Sequence, residues 1–401
     1  MAAFAELKLG EAITFQRGFD ITKAMQNPGA VPIISSSGVS SFHNVSRCEG
    51  PGIIIGRKGT LGTVHYSRTT YWPHDTTLWI KDFKGNCPEF ILYFLRTLGL
   101  ENFDTGASNP TLNRNHLHKI KVRFPVSTQT QRKIAAILTA YDDLIETNKR
   151  RIALLEKMAE EIYREWFVRM RFPGYRSSRF VKGVPADWSF VEGSTFFDII
   201  KGRSYSSHEI SADSGQCYFI TLKSFHRHGG YRREGLKYFS GSFREEQCVT
   251  GGDVVMAVTD MTQDRAIVGE VALIPPLEGK KAVISLDVVR LIPKDMSAIF
   301  LYAYMRYSGF ASFIKEFANG ANVLHLKPDL VGAQRLLMPP TELRDQFTQI
   351  VEPIFQEVNA LHEGNDILAK TRNLLLPRLI SGKLSVEDLD IQFPPSMEDA
   401  A

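Results

Sequence analysis

Short clusters of glycine, acidic and basic residues are the segments of this sequence that could support catalysis. Residues 56–60 read GRKGT, which lacks the spacing and the Lys-Ser/Thr end of a phosphate-binding P-loop. The EGK triplet at residues 278–280 resembles the end of many nuclease motifs, but no upstream carboxylate accompanies it in a convincing strand. His74 and Asp75 are adjacent without a nucleophile. The sequence also lacks the [DNS]-P-P-[YF] motif of amino-methyltransferases, and these segments together predict no catalytic site.

Two histidine pairs have the alternating spacing that could place both rings on one face of a strand. They are His116 with His118, and His226 with His228. No cysteine or carboxylate stands at ligand spacing beside either pair, and the four cysteines form no C-x-x-C motif. We therefore expect no metal site and interpret these histidines as solvated or phosphate-facing.

The composition is that of a globular protein of more than one domain. Hydrophobic residues make up 43% of the 401 residues and charged residues 23%, which excludes a disordered or fibrous chain. The longest apolar runs fall far short of the ~20 residues that span a bilayer, and residues 1–15 do not resemble a signal peptide. We therefore expect a cytoplasmic protein that is not associated with a membrane. The net charge of +4 is too small to indicate a partner.

Several landmarks occur twice in the same order, which indicates a tandem repeat. Gly106-Ala107-Ser108-Asn109 recurs as Gly320-Ala321-Asn322-Val323, followed in each case by Leu112 or Leu326 and by Pro125 or Pro339. Gln16-Arg17-Gly18 resembles Ile200-Lys201-Gly202 at a shorter spacing, so the second half carries extra residues. Each half combines short β-type runs with one apolar helix, predicted at residues 88–98 and 298–317.

The predicted fold class is α+β, with two tandem α/β modules joined by two long antiparallel helices that form a coiled coil. The expected domains are a first module over residues 1–125, a first long helix over 126–170, a second module over 171–340 with a linker at 171–185, a second long helix over 341–385 and an acidic tail over 386–401. The arrangement has a pseudo-two-fold internal repeat.

Apolar residues at alternating steps of four and three predict the two long helices. Residues 128–167 contain no proline or glycine, whereas the second helix contains Pro353 and Gly364, which should kink and loosen it. Its regular pattern runs from about residue 341 to 376, and Pro377 should end the helix or bend its last turn. The residues expected to form the helix seam and the partner-docking surface are Leu138, Tyr141, Ile145, Asn148, Ile152, Leu155, Val358, Leu361, Asn365 and Leu368.

One asparagine in each seam predicts the register of the pair. If Asn148 faces Asn365 in an antiparallel arrangement, Ile152 meets Leu361 and Tyr141 meets Arg372. Solvated positions at the edge of the seam are the alternative for both asparagines.

Basic and aromatic residues cluster in loops of both modules, which is typical of nucleic-acid binding. Residues 223–237 carry five basic side chains against one acid, and the first module has a cluster that we interpret as corresponding, at Arg47, Arg57, Lys58, His65 and Arg68. The predicted DNA-binding residues are Arg17, Arg57, Lys58, Arg114, Lys201, Arg203, Lys223, Arg227, Arg232, Arg233, Arg265 and Lys327.

Together these features resemble the specificity subunit of a type I restriction–modification enzyme. The resemblance is carried by the duplicated architecture, by the two Gly-Ala turns, by residues 131–146 of the first long helix and by residues 375–384 at the end of the second. It covers nearly the whole chain, although the two modules match only in outline.

The resemblance implies that each module recognises one half of an asymmetric bipartite site in double-stranded DNA. It also implies that the helices set the distance between the halves, about 34 Å for half-sites one helical turn apart. Two modification (methyltransferase) subunits would dock on the helices, and restriction/translocase subunits would complete the complex in a bacterial or archaeal cytoplasm. Their S-adenosylmethionine, ATP and Mg would leave this chain without a cofactor and without catalysis. A stand-alone DNA-modifying enzyme and a coiled-coil scaffold without a DNA role are the alternatives.

Overall fold

A computed structural model describes residues 4–103 and 111–398, and every element below belongs to this part of the chain. The chain divides into two compact units. The first unit combines residues 1–148 with residues 364–401, and the second unit comprises residues 149–363. Each long helix therefore contributes one part to each unit. The Gly106-Ala107-Ser108-Asn109 turn of the predicted repeat lies outside the described residues.

The first unit is built on a four-stranded antiparallel sheet. In pairing order its strands are Thr14–Arg17, Thr77–Asp82, Gly52–Gly56 and Val64–Ser67. Beside it are a three-stranded sheet of Gly38–His43, Val31–Ser35 and Trp72–Pro73, and a pair of Phe4–Lys8 with Lys121–Pro125. Strand Gly52–Gly56 has neighbours on both edges and is buried along its whole length, which explains its uninterrupted isoleucines. The helices are Leu9–Ala12, Pro88–Arg96 and Arg114–Lys119.

The second unit repeats this topology with longer connections. Its four-stranded sheet contains, in pairing order, Phe197–Lys201, Val288–Pro293, Val254–Ala257 and Val271–Leu273. Its second sheet contains Ile210–Ser211, Lys237–Phe239, Cys217–Ile220, Ala282–Ile284 and Cys248–Val249. Short pairs join Ser189–Glu192 to Arg335–Met338, Thr259–Asp260 to Leu324–His325 and Phe180–Val181 to Val184–Pro185. The helices are Gly193–Phe196, Ala298–Tyr307, Phe310–Ile314 and Pro328–Gly332.

Two matching glycines show that the repeat extends to atomic detail. A Cβ on Gly18 would lie 2.1 Å from the carbonyl oxygen of His74, and a Cβ on Gly202 would lie 2.0 Å from that of Ser285. In both units the glycine follows the edge strand and the chain then forms a parallel bridge with the same carbonyl-bearing residue. Only glycine permits this approach of two backbones. The sequence similarity around Gly18 and Gly202 therefore reflects equivalent structure.

The extra residues of the second unit include its basic segment. In the first unit, strands Val31–Ser35 and Gly38–His43 are joined by a tight turn in which Ser35 pairs with Gly38. In the second unit, the equivalent strands Cys217–Ile220 and Lys237–Phe239 are separated by residues 221–236. The prediction that the basic clusters of the two modules occupy corresponding places is therefore wrong for residues 223–237, because this segment is an insertion that the first unit lacks.

Two local predictions also need correction. The helix expected over residues 298–317 breaks at Gly309, whose φ of +89° lies in the left-handed region. His116 and His118 lie in helix Arg114–Lys119, so they do not share the face of a strand. His118 Nε2 accepts a hydrogen bond from Phe15 N at 2.9 Å. Burial and the nearby cations lower the pKa of His118, which keeps the ring neutral for this role.

The two long helices extend over Thr128–Tyr163 and Thr341–Ile380, and a π-helical turn, Arg164–Val168, continues the first. Pro377, expected to end the second helix or to bend its last turn, does not end the helix. The helix continues to Ile380 because Leu379 and Ile380, only 1% and 6% exposed, enter the core of the first unit. Burial of these side chains outweighs the lost backbone hydrogen bond. Pro353 does not interrupt the helix either, since the flanking Val351 and Ile354 are buried in the core of the second unit.

The predicted register of the helices is confirmed at the asparagines. Within the first unit, Asn148 Nδ2 donates to Asn365 Oδ1 at 2.9 Å. Within the second unit, Ile152, Val358 and Leu361 form one buried cluster against which Leu155 packs. The helices run antiparallel in both units, and the predicted α+β fold class is confirmed.

Arg372 and the acidic tail make contacts that the sequence did not indicate. Arg372 pairs with Asp142, the neighbour of Tyr141 in the chain. The predicted acidic tail also has apolar contacts, because Val386 and Met397 are each 2% exposed and lie in the core of the first unit. Lys133 Nζ fixes the start of this segment through the carbonyl oxygens of Glu387 and Leu389.

The asparagine pair generates a stability prediction. Replacing either residue alone, as in Asn148→Leu or Asn365→Leu, leaves the other amide without its partner and should cost about 1–3 kcal/mol. The double variant removes both polar groups from the seam and should be clearly less destabilised than the sum of the single variants. Urea unfolding of all four proteins measures this coupling. Strictly additive losses would contradict a direct pairing of the two side chains.

Candidate nucleic-acid interface

A loop after the central strand of each four-stranded sheet occupies the same place in both units. In the first unit it covers residues 57–63, and in the second it covers residues 258–270. Arg57 N donates to Thr76 O and Arg57 O accepts from Leu112 N. The equivalent Val258 has the same two bonds, to Asp287 O and from Leu326 N. The backbone therefore presents a loop in one orientation from both modules, while its side chains and length differ.

The first loop displays two of the predicted DNA-binding cations. Lys58 is exposed, and Arg57 is half-buried with its Nη1 atom hidden from solvent. Among the described residues, this Nη1 has no hydrogen-bond partner. Burial and the positive charge of Arg17 lower the pKa of Arg57, although Asp75 opposes the shift. A buried donor next to a second guanidinium is a favourable environment for an anion.

Asp75 partly neutralises this cationic group. Its carboxylate contacts Arg17 Nη2 at 3.0 Å and His74 Nδ1 at 3.1 Å. Asp20, His74 and Asp75 also form the one group within residues 4–103 and 111–398 whose ligand atoms are close enough together for a metal ion. Because Arg17 already occupies the Asp75 carboxylate, we interpret Asp75 as the residue that orients Arg17.

In the second unit, the inserted segment and the equivalent loop line an open cleft of about 590 Å³. The inserted segment contributes Lys223, His226, Arg227 and Arg232, and the loop contributes residues 260–262, 266 and 267. Arg227 is 65% exposed and contacts Asp264 at 3.3 Å, while Arg232 is 50% exposed and lies 3.8 Å from Glu234. Such exposed ion pairs are weak, so these cations remain able to exchange their carboxylates for phosphates.

Not all the predicted cations share this environment. Arg203 is only 20% exposed, donates to Glu209 at 3.0 Å and lies 5.0 Å from the ring of Phe239. This places Arg203 in a structural contact. Arg68 of the first basic cluster is 55% exposed and pairs with Asp143 of the first long helix at 2.5 Å. His65 Nε2 donates to Ser36 O at 3.0 Å, and Arg47 stacks on Trp72.

The remaining predicted DNA-binding residues lie at the edges of the two units. Arg265 pairs with Glu316, and Lys201 lies 3.7 Å from Asp329. Lys327 is exposed and precedes helix Pro328–Gly332, Arg114 is exposed and begins helix Arg114–Lys119, and Arg233 is half-buried in the turn Arg233–Gly235. The structure thus gathers Arg17, Arg57 and Lys58 in one group and Lys223, Arg227 and Arg232 in another.

Sequence reasoning missed the residues that shape the second loop. Asp260 is 1% exposed, and its carboxylate accepts from Thr262 N, Thr262 Oγ1, Ile267 N and Val268 N at 2.7–3.2 Å. Burial alone would raise the pKa of Asp260, but these donors hold it below its ordinary value. Gln263 also donates to the carbonyl of Ala321, in the recurring Gly-Ala turn. An aspartate followed by a threonine two residues later was the available signal.

Most residues predicted for the helix seam and docking surface face the partner helix. Leu138 is fully buried, and Asn148, Ile152, Val358 and Leu361 are at most 8% exposed. The exposed apolar side chains of the long helices are different residues: Leu144, Leu154, Met158, Ile350, Ile367 and Leu374. The exposed apolar side chains of the long helices therefore lie outside the predicted seam.

Each unit also has a groove at the end of a long helix. In the first unit a groove of about 360 Å³ includes Leu98, Arg123 and Ser381. In the second unit a groove of about 250 Å³ includes the equivalent Ser308, Leu337 and Val168. The equivalence follows from the matching helices Pro88–Arg96 and Ala298–Tyr307, each followed by a left-handed glycine, and from the paired strands that precede the long helices.

Comparison with known proteins shows which proteins this chain resembles. Residues 2–157 match the type I restriction modification DNA specificity domain. The chain is 23% identical over 334 residues to the type I restriction enzyme MjaIX specificity subunit of Methanocaldococcus jannaschii, covering 76% of this chain and 71% of that protein. It is 19% identical over 338 residues to the HindI specificity subunit of Haemophilus influenzae, covering 69% of this chain and 71% of that protein.

The fold agrees with this class. The crystal structure of a type I restriction-modification S subunit from M. genitalium superposes with a TM-score of 0.62 at 14% identity, over 94% of this chain and 96% of that chain. The chain is therefore similar to type I restriction enzyme specificity subunits over 69–76% of its length. No helix in the described part of the chain combines the length and apolar character of a membrane span.

The different environments of Arg203 and Arg227 generate a paired prediction. Arg203→Ala removes a half-buried ion pair and a ring contact and should cost about 1–3 kcal/mol of stability. Arg227→Ala removes only an exposed pair and should cost less than about 1 kcal/mol, while weakening DNA binding. Thermal unfolding and fluorescence anisotropy with double-stranded DNA measure the two effects. Equal loss of stability in both variants would contradict the assignment of Arg203 to the structure.

Proposed function

We propose that this chain is the DNA-recognition subunit of a type I restriction–modification complex and that it reads an asymmetric bipartite site. The carrying observation is the pair of equivalent loops, residues 57–63 and 258–270, held by the same backbone bonds but bearing different side chains. Equivalent placement suits two half-sites on one duplex, and different side chains suit different base sequences. Basic residues around both loops would contact phosphates and base edges.

The two long helices would act as the spacer between the half-sites. Their register is defined by the asparagine pair in one unit and by the apolar cluster in the other. Methyl transfer, DNA translocation and cleavage would belong to modification and restriction subunits, which would hold S-adenosylmethionine, ATP and Mg. This chain would supply sequence recognition and assembly, in a cytoplasmic complex.

Docking of two identical modification subunits is supported by the duplication of the grooves. A groove that recurs at equivalent residues of both units can accept the same segment of two copies of one partner. The exposed leucines and isoleucines of the long helices would extend this contact, because large apolar side chains in water favour burial by a partner.

The DNA-binding proposal is tested with Arg57→Ala. Loss of this guanidinium should relax recognition of one half-site, with a cost of about 1–3 kcal/mol for a base contact, and leave partner assembly intact. Binding of the co-expressed complex to DNA with a correct or scrambled first half-site measures the effect across a salt series. Arg68→Ala is the matched control, because it removes the same charge from a residue that lies outside the loop of residues 57–63 and follows strand Val64–Ser67.

Three outcomes would contradict the proposal or favour one of its alternatives. Equal binding of wild type and Arg57→Ala to correct and scrambled first half-sites would remove Arg57 from recognition. Affinity of the wild-type complex that does not fall with rising salt would oppose phosphate contacts altogether and favour a scaffold without a DNA role. Methyl transfer by the purified chain alone would favour a stand-alone modifying enzyme.

The docking proposal is tested with a matched pair of charge substitutions. Leu98→Glu and Ser308→Glu place a carboxylate in equivalent grooves of the first and second unit, and desolvating that charge opposes docking. Each single variant should retain one modification subunit and the double variant none, as measured by native mass spectrometry of the co-purified complex. Retention of two copies by the double variant would place docking elsewhere. Circular dichroism of the chain verifies that folding is unchanged.

A further inference from the structure

Met261 is the most exposed large apolar side chain of the second loop. It is 68% exposed and lines the cleft opposite Lys223, Arg227 and Arg232. A methionine in this position exposes apolar surface to water in a cleft that is also lined by cations. Packing of the core does not account for its placement, since Met261 lies outside the buried clusters that contain Val258 and Val268 of the same loop.

The backbone on both sides of Met261 is fixed before any ligand arrives. Asp260 directly precedes it and accepts four hydrogen bonds from the loop itself. On the other side of Met261, Gln263 Nε2 donates to the carbonyl oxygen of Ala321 at 3.0 Å. A contact made from such a preorganised loop loses little conformational entropy on binding, which is a requirement for discrimination between similar ligands.

The first unit differs at the equivalent place. Its loop is shorter and contains Leu61, which packs against the core of that unit and is half-buried. An exposed methionine at this position of the loop is therefore present in the second unit and not in the first. Any effect of Met261 should be confined to one half-site.

The chemistry of the cleft selects the group that Met261 would contact. Phosphates and most base edges carry charge or hydrogen-bonding groups, for which the cations and His226 are suited. The 5-methyl group of thymine is the apolar feature that a base edge offers in the major groove. We propose that Met261 is a specificity-determining residue, which packs on the methyl group of a thymine in the half-site that the second unit reads. This inference rests on the proposed DNA-recognition function.

Replacing thymine by uracil in the DNA tests the contact one methyl group at a time. The probe is the purified complex of this chain with its modification partner, bound to duplexes in which each thymine of the second half-site is replaced in turn by uracil. At one position wild type should lose about fourfold in affinity, the value expected for withdrawing one methyl group from water. Uracil in the first half-site serves as the internal control.

Three variants complete the experiment. Met261→Ala should bind the thymine and uracil duplexes equally, whereas Met261→Leu should retain most of the difference because it keeps an apolar side chain. Met25→Ala, which removes a methionine that is 60% exposed in the first unit, should behave as wild type. Thermal unfolding and the slope of affinity against salt should not change in any variant, because Met261 contributes neither to the core nor to phosphate contacts.

The outcomes separate this inference from the function on which it rests. Absence of any uracil-sensitive position in the second half-site of wild type, or unchanged sensitivity in Met261→Ala, would overturn the role of Met261 while sequence-specific binding persists. If Met261→Ala bound the thymine duplex and the uracil duplex more weakly than wild type by the same factor, the result would indicate insertion of Met261 between base pairs instead of a methyl contact. This outcome would also overturn the inference. Failure of the proposed function would appear as a wild-type complex without sequence preference.

Discussion

The register between the two long helices is the constraint on which the rest of the structure depends. Each helix contributes to both units, so a shift along the seam would move core residues in each of them. Asn148 and Asn365 define the register because displacement by one heptad layer would leave both amides against apolar side chains. Ile152, Val358 and Leu361 then supply the apolar burial that the polar pair does not.

The two units share a backbone framework but differ in their loops. This combination suits a protein that must present two different surfaces on the same framework. The close approaches at Gly18 and Gly202 and the paired bonds at Arg57 and Val258 hold the same framework in both units. The loops that leave this framework differ in length and in side chains, although the backbone bonds at their first residues are the same. The inserted segment of the second unit places cations beside one of these loops, and the strand order of the four-stranded sheet is the same in both units.

Positive charge in this protein is organised locally and is partly masked. Asp75, Asp264 and Glu234 each stand beside a cation of the two basic groups. Such exposed pairs add little stability, but they orient guanidinium groups and reduce repulsion between them. The net charge of +4 averages over these pairs and over the acidic residues of the helices and the C-terminal segment.

The sequence by itself determined the fold class, the duplication and the helix register, because heptad spacing and recurring glycines are local patterns with one dominant structural solution. It also identified most of the cations. Only the tertiary structure decided which of them are available: Arg203 and Arg227 look alike in the sequence, but one lies against Glu209 and Phe239 and the other at the rim of a cleft. The tertiary structure also decided that the second helix continues through Pro377 and that Met261 is exposed. Both features depend on burial and on contacts with residues distant in the chain.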